Sequence, residues 1–468
     1  MTSTKHIVII GGGFCGMMTA VHLIRDAKYP LKITLIHSGT PFIRGVAYNA
    51  YSSKHLLNVA SGNMSAFPDD MEHFTNWLRI KKEYTNYEKK LLAETFIPRN
   101  IYGEYLGNIW ETILAAKNGT VELTILDDYA NDIELLEHNK AKIFLKKDLP
   151  FIADYVVLAT GNSLPRNPPI ANMAYYSSPT YFQNPWNINS VSHLKPDGDV
   201  LIIGNGLTMV DTVIGLLEQK FQHKIYSVST NGSIILPHRH FGITYNDLVE
   251  ELPGNFELTK LVSLINKHIK KLRKLGISAG PVIDSLRPYS QRIWQSFTPE
   301  EKKKFLSRFR HMWGVARHRL PVFIYDIVEK LRVQGKLETY KGKLINITEK
   351  GNEVMVTFHN TKKWCTETLP VQRVINCTGP ETSIYRNLNQ LLLKLAEKAI
   401  ISPDLLELGI NADPSSYNIL TPEGEKHPNL FTLGTNLKGV LWETISVPEL
   451  RVQCEQLSKV LLQACKQD

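Results

Sequence analysis

The sequence predicts an α/β fold made of two similar three-layer domains, and two observations support this prediction. A strand, a glycine-rich turn, a helix and a second strand follow one another near the start of the chain. The same order recurs from residue 199, with nearly the same spacing between the elements. Strands and helices that alternate in this way form a parallel sheet that is covered by helices.

The first copy is predicted from hydrophobic runs on either side of the glycines. Residues 5–10 (KHIVII) form a buried strand, an amphipathic helix extends to about Arg25, and residues 32–36 form the second strand. Residues 38–110 are predicted to be rich in loops, with short helices. A further buried strand is predicted over residues 155–159 (YVVLA).

The second copy consists of a strand over 199–203, a helix to about Phe221 and a strand over 224–229. The Pro-rich residues 165–196 before it are predicted to cross between domains rather than to contribute to a core. After it, a basic helical insert is predicted over 246–335 and a small antiparallel ribbon over 337–374. Two further strands are predicted over 374–377 and 429–433, and a closing helix over 447–464.

Composition and charge exclude several classes of protein. The chain has 468 residues, of which 43% are hydrophobic and 21% charged, so disorder and a disulfide scaffold are excluded. The five cysteines are odd in number and widely spaced, which favours a reducing, cytoplasmic location. No two of them form a C-x-x-C pair, so no metal site is predicted. We expect no membrane span. The net charge of +9 indicates an anionic partner: nucleic acid, anionic lipid, a phosphate-rich cofactor or an acidic substrate.

The first turn carries the strongest chemical signal. Gly11, Gly13 and Gly16 form a G-x-G-x-x-G pattern between a strand and a helix. In a Rossmann-like unit the first glycine permits the tight turn, the second admits a pyrophosphate, and the third lets the helix pack on the strand. The helix N-terminus then presents free N–H groups to the phosphates. The pattern in this setting predicts a bound dinucleotide.

One expected feature is absent from the first unit. The second strand of a dinucleotide-binding unit usually ends in an acidic residue that binds the ribose hydroxyls. His37 and Ser38 occupy this place, and either can hydrogen-bond a ribose.

The second turn, Gly204-Asn205-Gly206-Leu207-Thr208-Met209, keeps two glycines and replaces the third by Met209. The helix therefore lies further from its strand, or Met209 points away. The alternative is a degenerate unit that binds nothing. A ribose 2′-phosphate would favour an arginine after the second strand, but residues 229–232 (STNG) contain none. Arg239 or a basic residue of the insert would serve instead, so the choice between NADPH and NADH stays open.

The two turns, together with Leu-Ala-Thr-Gly at 158–161 and Asn-Cys-Thr-Gly at 376–379, resemble the flavoproteins with two dinucleotide-binding domains. The resemblance implies that the first domain binds FAD and that the second, inserted into it, binds NAD(P)H. It implies an FAD-binding domain over 1–195 and 371–468, and an NAD(P)-binding domain over 196–370 that carries the insert.

Further segments resemble a narrower group, the bacterial FAD/NAD(P)-binding proteins that include urate hydroxylase and aspartate N-monooxygenase. The matching segments are Gly45-Val46-Ala47-Tyr48, His55 to Val59, Met64-Ser65, Phe74, Trp77-Leu78, Pro98-Arg99, Tyr102-Gly103, Tyr105-Leu106, Arg317 to Arg319, Trp442-Glu443 and Pro448 to Arg451. Two departures stand out. Gly434-Thr435 lies where the broader group often has Gly-Asp, and Thr230 and Asn231 replace the usual arginines after the second strand.

The candidate site residues follow from the motifs and from the resemblance. The 45–48 loop is predicted to lie against the flavin, and Asn58 is the candidate for a catalytic hydrogen bond, although it can equally cap local backbone. His55 is interpreted as a surface residue rather than a proton shuttle. The predicted cofactor-binding residues are Gly11, Gly13, Phe14, Cys15, Gly16, Ser38, Gly45, Ala47, Tyr48, Asn58, Thr160, Gly161, Gly204, Gly206, Leu207, Thr208, Gly379, Gly434 and Thr435.

A basic run in the insert has two interpretations. Arg308, Arg310, Arg317 and Arg319 surround Trp313 together with His311 and His318. At helical spacing such a run is typical of a solvated face, but it can also bind a cofactor phosphate or a substrate carboxylate.

The predicted function is that of an FAD-dependent, NAD(P)H-using monooxygenase that acts on a small anionic or nitrogenous substrate. The flavin supplies the difficult chemistry, so no nucleophile or carboxylate pair is required. A flavin reductase without oxygenation and a non-catalytic nucleotide sensor are the alternatives. We expect no nucleic-acid partner, and the oligomeric state is left open.

Overall fold

The computed structural model describes residues 4–39, 42–117, 119–238, 244–351 and 353–467. The chain divides into two compact units. The first consists of Met1–Ser163 and Thr382–Asp468, and the second of Leu164–Glu381.

The first unit contains a six-stranded sheet in the order β15-β16-β7-β1-β2-β3 and a three-stranded sheet in the order β4-β5-β6. Its strands are β1 (Lys5–Ile10), β2 (Leu31–His37), β3 (Val121–Asp127), β4 (Ala130–Leu136), β5 (Lys140–Leu145), β6 (Phe151–Ala153), β7 (Tyr155–Leu158), β15 (Asn418–Leu420) and β16 (Lys426–Thr432). Its helices are α1 (Phe14–Asp26), α2 (Gly45–Tyr48), α3 (His73–Arg79), α4 (Lys89–Glu94), α5 (Arg99–Ala116), α14 (Gln390–Glu397), α15 (Lys438–Leu441) and α16 (Val447–Gln467).

The central strand β1 is buried on both faces, which explains its continuous apolar run. Ile7 and Ile9 pack into a core formed with α1, α5 and α16. Val8 and Ile10 point to the opposite face, where β4, β5 and α14 form a second core. The parallel neighbours β2 and β7 place the ends of all three strands at one edge, so the turn after β1 lies at that edge.

The second unit contains one seven-stranded sheet in the order β13-β12-β11-β10-β9-β14-β8. Its strands are β8 (Tyr181–Phe182), β9 (Val200–Ile203), β10 (Ile225–Ser229), β11 (Leu337–Lys350), β12 (Glu353–Asn360), β13 (Cys365–Val371) and β14 (Arg373–Asn376). Its helices are α6 (Leu207–Glu218), α7 (Asp247–Glu250), α8 (Leu258–Lys274), α9 (Gly280–Ser285), α10 (Ser290–Ser296), α11 (Pro299–Arg308), α12 (Arg310–Arg317) and α13 (Val322–Val333). The helices α7–α13 are the predicted insert, and β11–β13 are the predicted antiparallel ribbon.

The predicted division of the chain at 195/196 and 370/371 is displaced in the structure. The units separate at 163/164 and 381/382, because β8 and β14 pair with each other and β14 pairs with β9. The Pro-rich stretch therefore belongs to the second unit. Its Tyr175 and Tyr181 are buried with the strand residues of that unit, so the interpretation of this stretch as a bare crossing was wrong.

Two groups of elements in the first unit were not predicted. The helix α5 is 18 residues long. It begins within residues 38–110, which were predicted to be rich in loops with short helices, and ends six residues beyond them. Its Tyr102, Tyr105 and Trp110 are buried. The small sheet β4-β5-β6 packs its alternating apolar residues against the face of β1 opposite to α1.

His22 on α1 makes the fold sensitive to acid. Its side chain is fully buried, and neither ring nitrogen has a hydrogen-bond partner among the described residues. Burial lowers the pKa of His22 to about 4. The unfolded chain takes up a proton near pH 6.5, so the stability from the neutral ring is complete above that pH and is lost as the pH falls toward 4.

We expect His22→Leu to remove this dependence. Between pH 7 and pH 5 the wild-type free energy of unfolding should fall by about 2 kcal/mol more than that of the variant, as follows from the difference between the two pKa values. Urea denaturation at the two pH values measures the difference. Equal losses in both proteins would contradict the assignment.

Candidate functional site

The first glycine turn is held so tightly that two of its positions admit no side chain. Gly11 has a φ of +122°, and its N–H donates to the carbonyl of Ile36 at 2.8 Å. A Cβ on Gly11 would lie 2.1 Å from the carbonyl oxygen of Ala159. A Cβ on Gly16 would lie 1.8 Å from the carbonyl oxygen of Gly11. Gly16 is therefore required for α1 to approach the turn.

Gly13 is different, because the space beside it is open. The nearest atom to a Cβ built there is the Cα of Gly45, at 3.9 Å. Gly13 caps α1 with extended backbone and, because it has no side chain, supplies no side-chain cap to the first N–H groups of the helix. The first backbone N–H groups of α1 are those of Phe14 and Cys15, which follow Gly13 in the turn. An open approach with unfilled N–H donors fits the pyrophosphate of a dinucleotide.

The predicted 45–48 loop is a single helical turn, α2, and it lies beside the glycine turn. Ile43 donates its N–H to the carbonyl of Gly12 at 2.8 Å. The ring of Tyr48 lies 6.4 Å from that of Phe14 and 4.7 Å from that of Tyr102. The structure therefore brings Gly45 and Tyr48 to the turn, whereas Ala47 is exposed. Their contact with a flavin stays a prediction.

At the end of β2, the ring of His37 stacks on that of Phe42 with centroids 4.8 Å apart, and Ser38 follows. The strand β3 pairs with β2 so that His37 stands opposite Asp127. The Oδ1 atom of Asp127 lies 3.9 Å from Nδ1 of His37, and the Asp127 side chain is 71% exposed. The acid absent from the end of β2 is therefore present on the adjacent strand. Sequence reasoning missed it, because only the strand pairing places it there.

The carboxylate of the neighbouring Asp128 forms hydrogen bonds to the backbone. It accepts N–H groups from Tyr129, Lys147 and Asp148. These hydrogen bonds lower its pKa although burial opposes them. The carboxylate of Asp127, in contrast, is largely exposed beside His37 and accepts none of these backbone N–H groups.

The C-terminal part of the first unit returns to the same edge. Asn436 donates its Nδ2 to the carbonyl of Leu158 and to the hydroxyls of Thr160 and Thr432, at 3.0–3.3 Å. This network ties the Thr160-Gly161 segment to the Gly434-Thr435 segment. Sequence reasoning did not identify Asn436.

Gly434 and Thr435 lie close to the first turn. Gly434 has a φ of +70°, and a Cβ there would lie 3.0 Å from Sγ of Cys15. Its N–H donates to Gln453 at 2.9 Å. The hydroxyl of Thr435 is buried without a hydrogen-bond partner among the described residues. An orphaned hydroxyl at this place fits a polar group of a bound cofactor.

The region of Asn58 corrects one interpretation. His55, interpreted as a surface residue, is only 1% exposed, because the 55–58 segment bonds to the chain before α5. Arg99 donates its N–H to the carbonyl of His55, and Leu57 donates to that of Ile97, both at 2.8 Å. Asn58 is half-buried at the end of this segment. Its catalytic role stays a prediction.

The second turn repeats the geometry of the first. Gly204 has a φ of +108°, its N–H donates to the carbonyl of Val228 at 2.8 Å, and a Cβ there would lie 2.5 Å from the carbonyl oxygen of Cys377. Around Gly206 no atom of the described residues other than its chain neighbours lies within 4 Å of a built Cβ. The helix α6 begins with Leu207 and Thr208 and has no side-chain cap. This turn, too, is open to a phosphate.

Met209 takes the place of the third glycine. It is 5% exposed and lines a cavity of about 20 Å³ together with Asn205 of the turn, Leu320 and Val328. Gly379, with a φ of +89°, follows β14 just as Gly161 follows β7. Burial raises the pKa of the Cys377 thiol to about 12, so this cysteine is inert core.

The basic run of the insert is not one solvated face. Arg319 is 6% exposed and makes a bidentate ion pair with Asp284 at 2.9 and 3.1 Å. It also donates to the carbonyl of Ala316. It therefore holds α9 against the end of α12. Arg239 lies outside the described residues.

Comparisons with known proteins bear on this geometry. Residues 8–163 match a protein family described as FAD-NAD(P)-binding. No curated protein sequence matches the chain. The family match confirms the predicted cofactor class of FAD and NAD(P)H and the resemblance to FAD/NAD(P)-binding flavoproteins.

Solved structures extend the likeness over the whole chain. An ornithine hydroxylase from Pseudomonas aeruginosa has a TM-score of 0.67 at 14% identity, covering 98% of this chain and 99% of that one. A cadaverine monooxygenase from Erwinia amylovora, bound to FAD, has a TM-score of 0.66 at 12% identity, covering 100% and 95%. A bacillithiol disulfide reductase from Staphylococcus aureus has a TM-score of 0.56 at 14% identity, covering 98% of each. The predicted fold class is confirmed.

The described residues contain neither a membrane-spanning helix nor a metal-binding cluster. No helix there is both long and apolar enough to cross a membrane. The same part of the chain brings together no group of three or more His, Cys, Asp or Glu side chains that would hold a metal ion.

Proposed function

We propose that this chain is an FAD-dependent, NAD(P)H-using monooxygenase that oxygenates a small nitrogenous or anionic substrate. The first unit binds FAD through the turn at Gly11–Gly16, and the second binds NAD(P)H through the turn at Gly204–Gly206. The flavin, reduced by the nicotinamide cofactor, supplies the activation of O2. A reducing, cytoplasmic location is part of the proposal, since the five cysteines are odd in number and widely spaced along the chain.

The observation that carries the proposal is the pair of equivalent open turns. In each, a glycine with positive φ closes the turn against a carbonyl of the neighbouring strand end. In each, the next glycine faces open space at an uncapped helix N-terminus. A turn that served only to support its sheet would gain nothing from this open position. Two such turns in one chain fit two dinucleotides.

An oxygenase is favoured over a disulfide reductase by the cysteines. A dithiol relay needs two adjacent thiols that exchange with the substrate. No two of the five cysteines of this chain form the C-x-x-C pair of many flavin reductases. The two solved oxygenases named above also resemble the chain more closely than the reductase does, and their substrates are amines by name.

The experiment is to follow NADPH oxidation and oxygen uptake by the FAD-loaded protein, with ornithine, cadaverine and no substrate. A monooxygenase consumes both, and the right amine accelerates NADPH oxidation and yields a hydroxylamine. NADPH oxidation that reduces an added dye or disulfide without oxygen uptake would identify a reductase. Absence of FAD uptake would support a nucleotide sensor.

We further propose that Asp127 accepts the ribose hydroxyls of FAD in place of an acid at the end of β2. Asp127→Asn should weaken FAD binding about tenfold, because a hydrogen bond to a charged acceptor is replaced by one to a neutral acceptor. Titration of the apoprotein with FAD measures the Kd. Glu122→Gln is the control, since Glu122 lies at the opposite end of β3 and pairs with Lys32. Equal affinities in both variants would refute the role.

A further inference from the structure

The loop after β10 lacks the arginine that a ribose 2′-phosphate usually finds at this place. In a dinucleotide-binding unit the adenosine ribose lies at the end of the second strand, which here continues as Thr230, Asn231 and Gly232. Gly232 has a φ of +62°, and a Cβ there would lie 2.7 Å from Cβ of Lys341. Its N–H donates to the hydroxyl of Ser229 at 3.0 Å. The loop is therefore pressed against β11.

The fold surrounds this uncharged loop with basic side chains from elsewhere. Nδ2 of Asn231 lies 2.8 Å from Nδ1 of His311, near the start of α12. Nη2 of Arg310 lies 3.5 Å from Nε2 of the same imidazole. Lys341 stands opposite Ser229 in the parallel pairing of β10 with β11. Three basic residues from two other elements thus converge on the end of β10.

The positive charges of Arg310 and Lys341 are available to bind an anion. Arg310 and Lys341 are exposed, and neither forms an ion pair with a carboxylate among the described residues. The insert from 246 to 335 contains seventeen lysines and arginines against nine aspartates and glutamates. It therefore holds most of the excess positive charge of the chain, and that charge raises the local concentration of anions.

We propose that Arg310, His311 and Lys341 bind the 2′-phosphate of NADPH, so that the chain uses NADPH in preference to NADH. The inference rests on the proposed function, since it names which nicotinamide cofactor the second unit takes. Arg310 offers a planar fork that suits a phosphate. Burial, followed by the charge of Arg310, lowers the pKa of His311. At neutral pH His311 therefore acts as a hydrogen-bonding group, and Arg310 and Lys341 supply the charge.

The test is calorimetry on the FAD-loaded protein with NADP⁺, NAD⁺, 2′,5′-ADP and 5′-AMP. FAD occupies the first unit, so the probes report the second. We expect the wild type to bind NADP⁺ and 2′,5′-ADP about a hundredfold more tightly than their counterparts without the 2′-phosphate. Arg310→Gln and Lys341→Gln should each reduce this ratio about tenfold and leave the NAD⁺ affinity unchanged. Arg308→Gln, an exposed cation on the neighbouring helix α11, is the control.

Two outcomes would overturn the assignment of the 2′-phosphate site, and a third would overturn the proposed function. A wild type that binds NAD⁺ as tightly as NADP⁺ overturns the inference, and so do variants that weaken both dinucleotides equally. A wild type that takes up FAD but binds neither dinucleotide overturns the proposed function instead. An unchanged melting temperature in each variant shows that the loss is one of recognition rather than of folding.

Discussion

Gly13→Ala is expected to abolish tight FAD binding while leaving the fold of the apoprotein intact. The φ of Gly13 is −81°, which alanine adopts without strain. Among the described residues, apart from its chain neighbours, the new methyl group would meet no atom closer than 3.9 Å. It would instead occupy the space through which a pyrophosphate approaches the backbone. We expect the Kd for FAD to rise by a factor of about 100 or more, since the loss of several phosphate contacts exceeds that of one charged hydrogen bond.

The measurement is titration of apoprotein with FAD, paired with thermal melting of the apoprotein. Gly107→Ala on α5 is the control, because a Cβ there also meets nothing within 4 Å. It should leave FAD binding unchanged. Gly206→Ala makes the same change in the second turn and should weaken NADP⁺ while sparing FAD. If Gly13→Ala bound FAD like the wild type, the turn would not be a pyrophosphate site.

Gly16→Ala is expected to damage both the fold and FAD binding. A Cβ would lie 1.8 Å from the carbonyl oxygen of Gly11 and 3.2 Å from a methyl group of Ile9. Backbone cannot yield as a flexible side chain can, so α1 must shift away from β1. We expect a loss of about 3 kcal/mol or more in the free energy of unfolding, and melting about 6 °C lower or more.

Thermal melting of the apoprotein and FAD titration together measure this effect. The contrast between the two alanines is the informative part, since they lie three residues apart in one motif. Gly13→Ala should lose only the ligand, and Gly16→Ala should lose both. A Gly16→Ala protein with wild-type melting and wild-type FAD affinity would show that α1 does not need its close approach to the turn.

Much of the fold follows from patterns that act over short distances. The runs KHIVII and YVVLA are buried on both faces, and such strands are visible in a sequence as continuous apolar stretches. The glycine turns follow from backbone conformation and close approach, which only glycine permits. For this reason both strand–turn–helix–strand units were predicted close to their true bounds.

The remainder depends on contacts between distant parts of the chain. Tyr181 was interpreted as part of a crossing because prolines surround it, yet it is buried beside β14, almost 200 residues later in the chain. Local periodicity does not reveal the burial of Tyr181. The helix α5 is different, because its buried Tyr102, Tyr105, Leu106, Ile109 and Trp110 follow the i, i+3, i+4, i+7, i+8 spacing of an amphipathic helix. The sequence therefore contains a signal for α5, although the helix was not predicted.

The candidate site divides in the same way. The positions of Gly11, Gly13 and Gly16 follow from sequence, since motif and local structure coincide. Asp127 and Asn436 do not, because each reaches its site from another part of the chain. The basic run that contains His311 was a candidate from the sequence, but only the fold places His311 beside Asn231. The absence of an acid at His37 and of an arginine at Asn231 marked the places where such residues were needed. Only the folded chain shows which residues fill them.

The most direct test of the two proposed cofactor sites is the visible absorption spectrum of the purified protein, before and after addition of NADPH in the absence of oxygen. The spectrum should show the bands of a bound oxidised flavin, which NADPH bleaches and air restores, with FAD released on denaturation. A colourless protein that takes up no added FAD, or one whose bound flavin NADPH never reduces, would contradict the assignment of these sites.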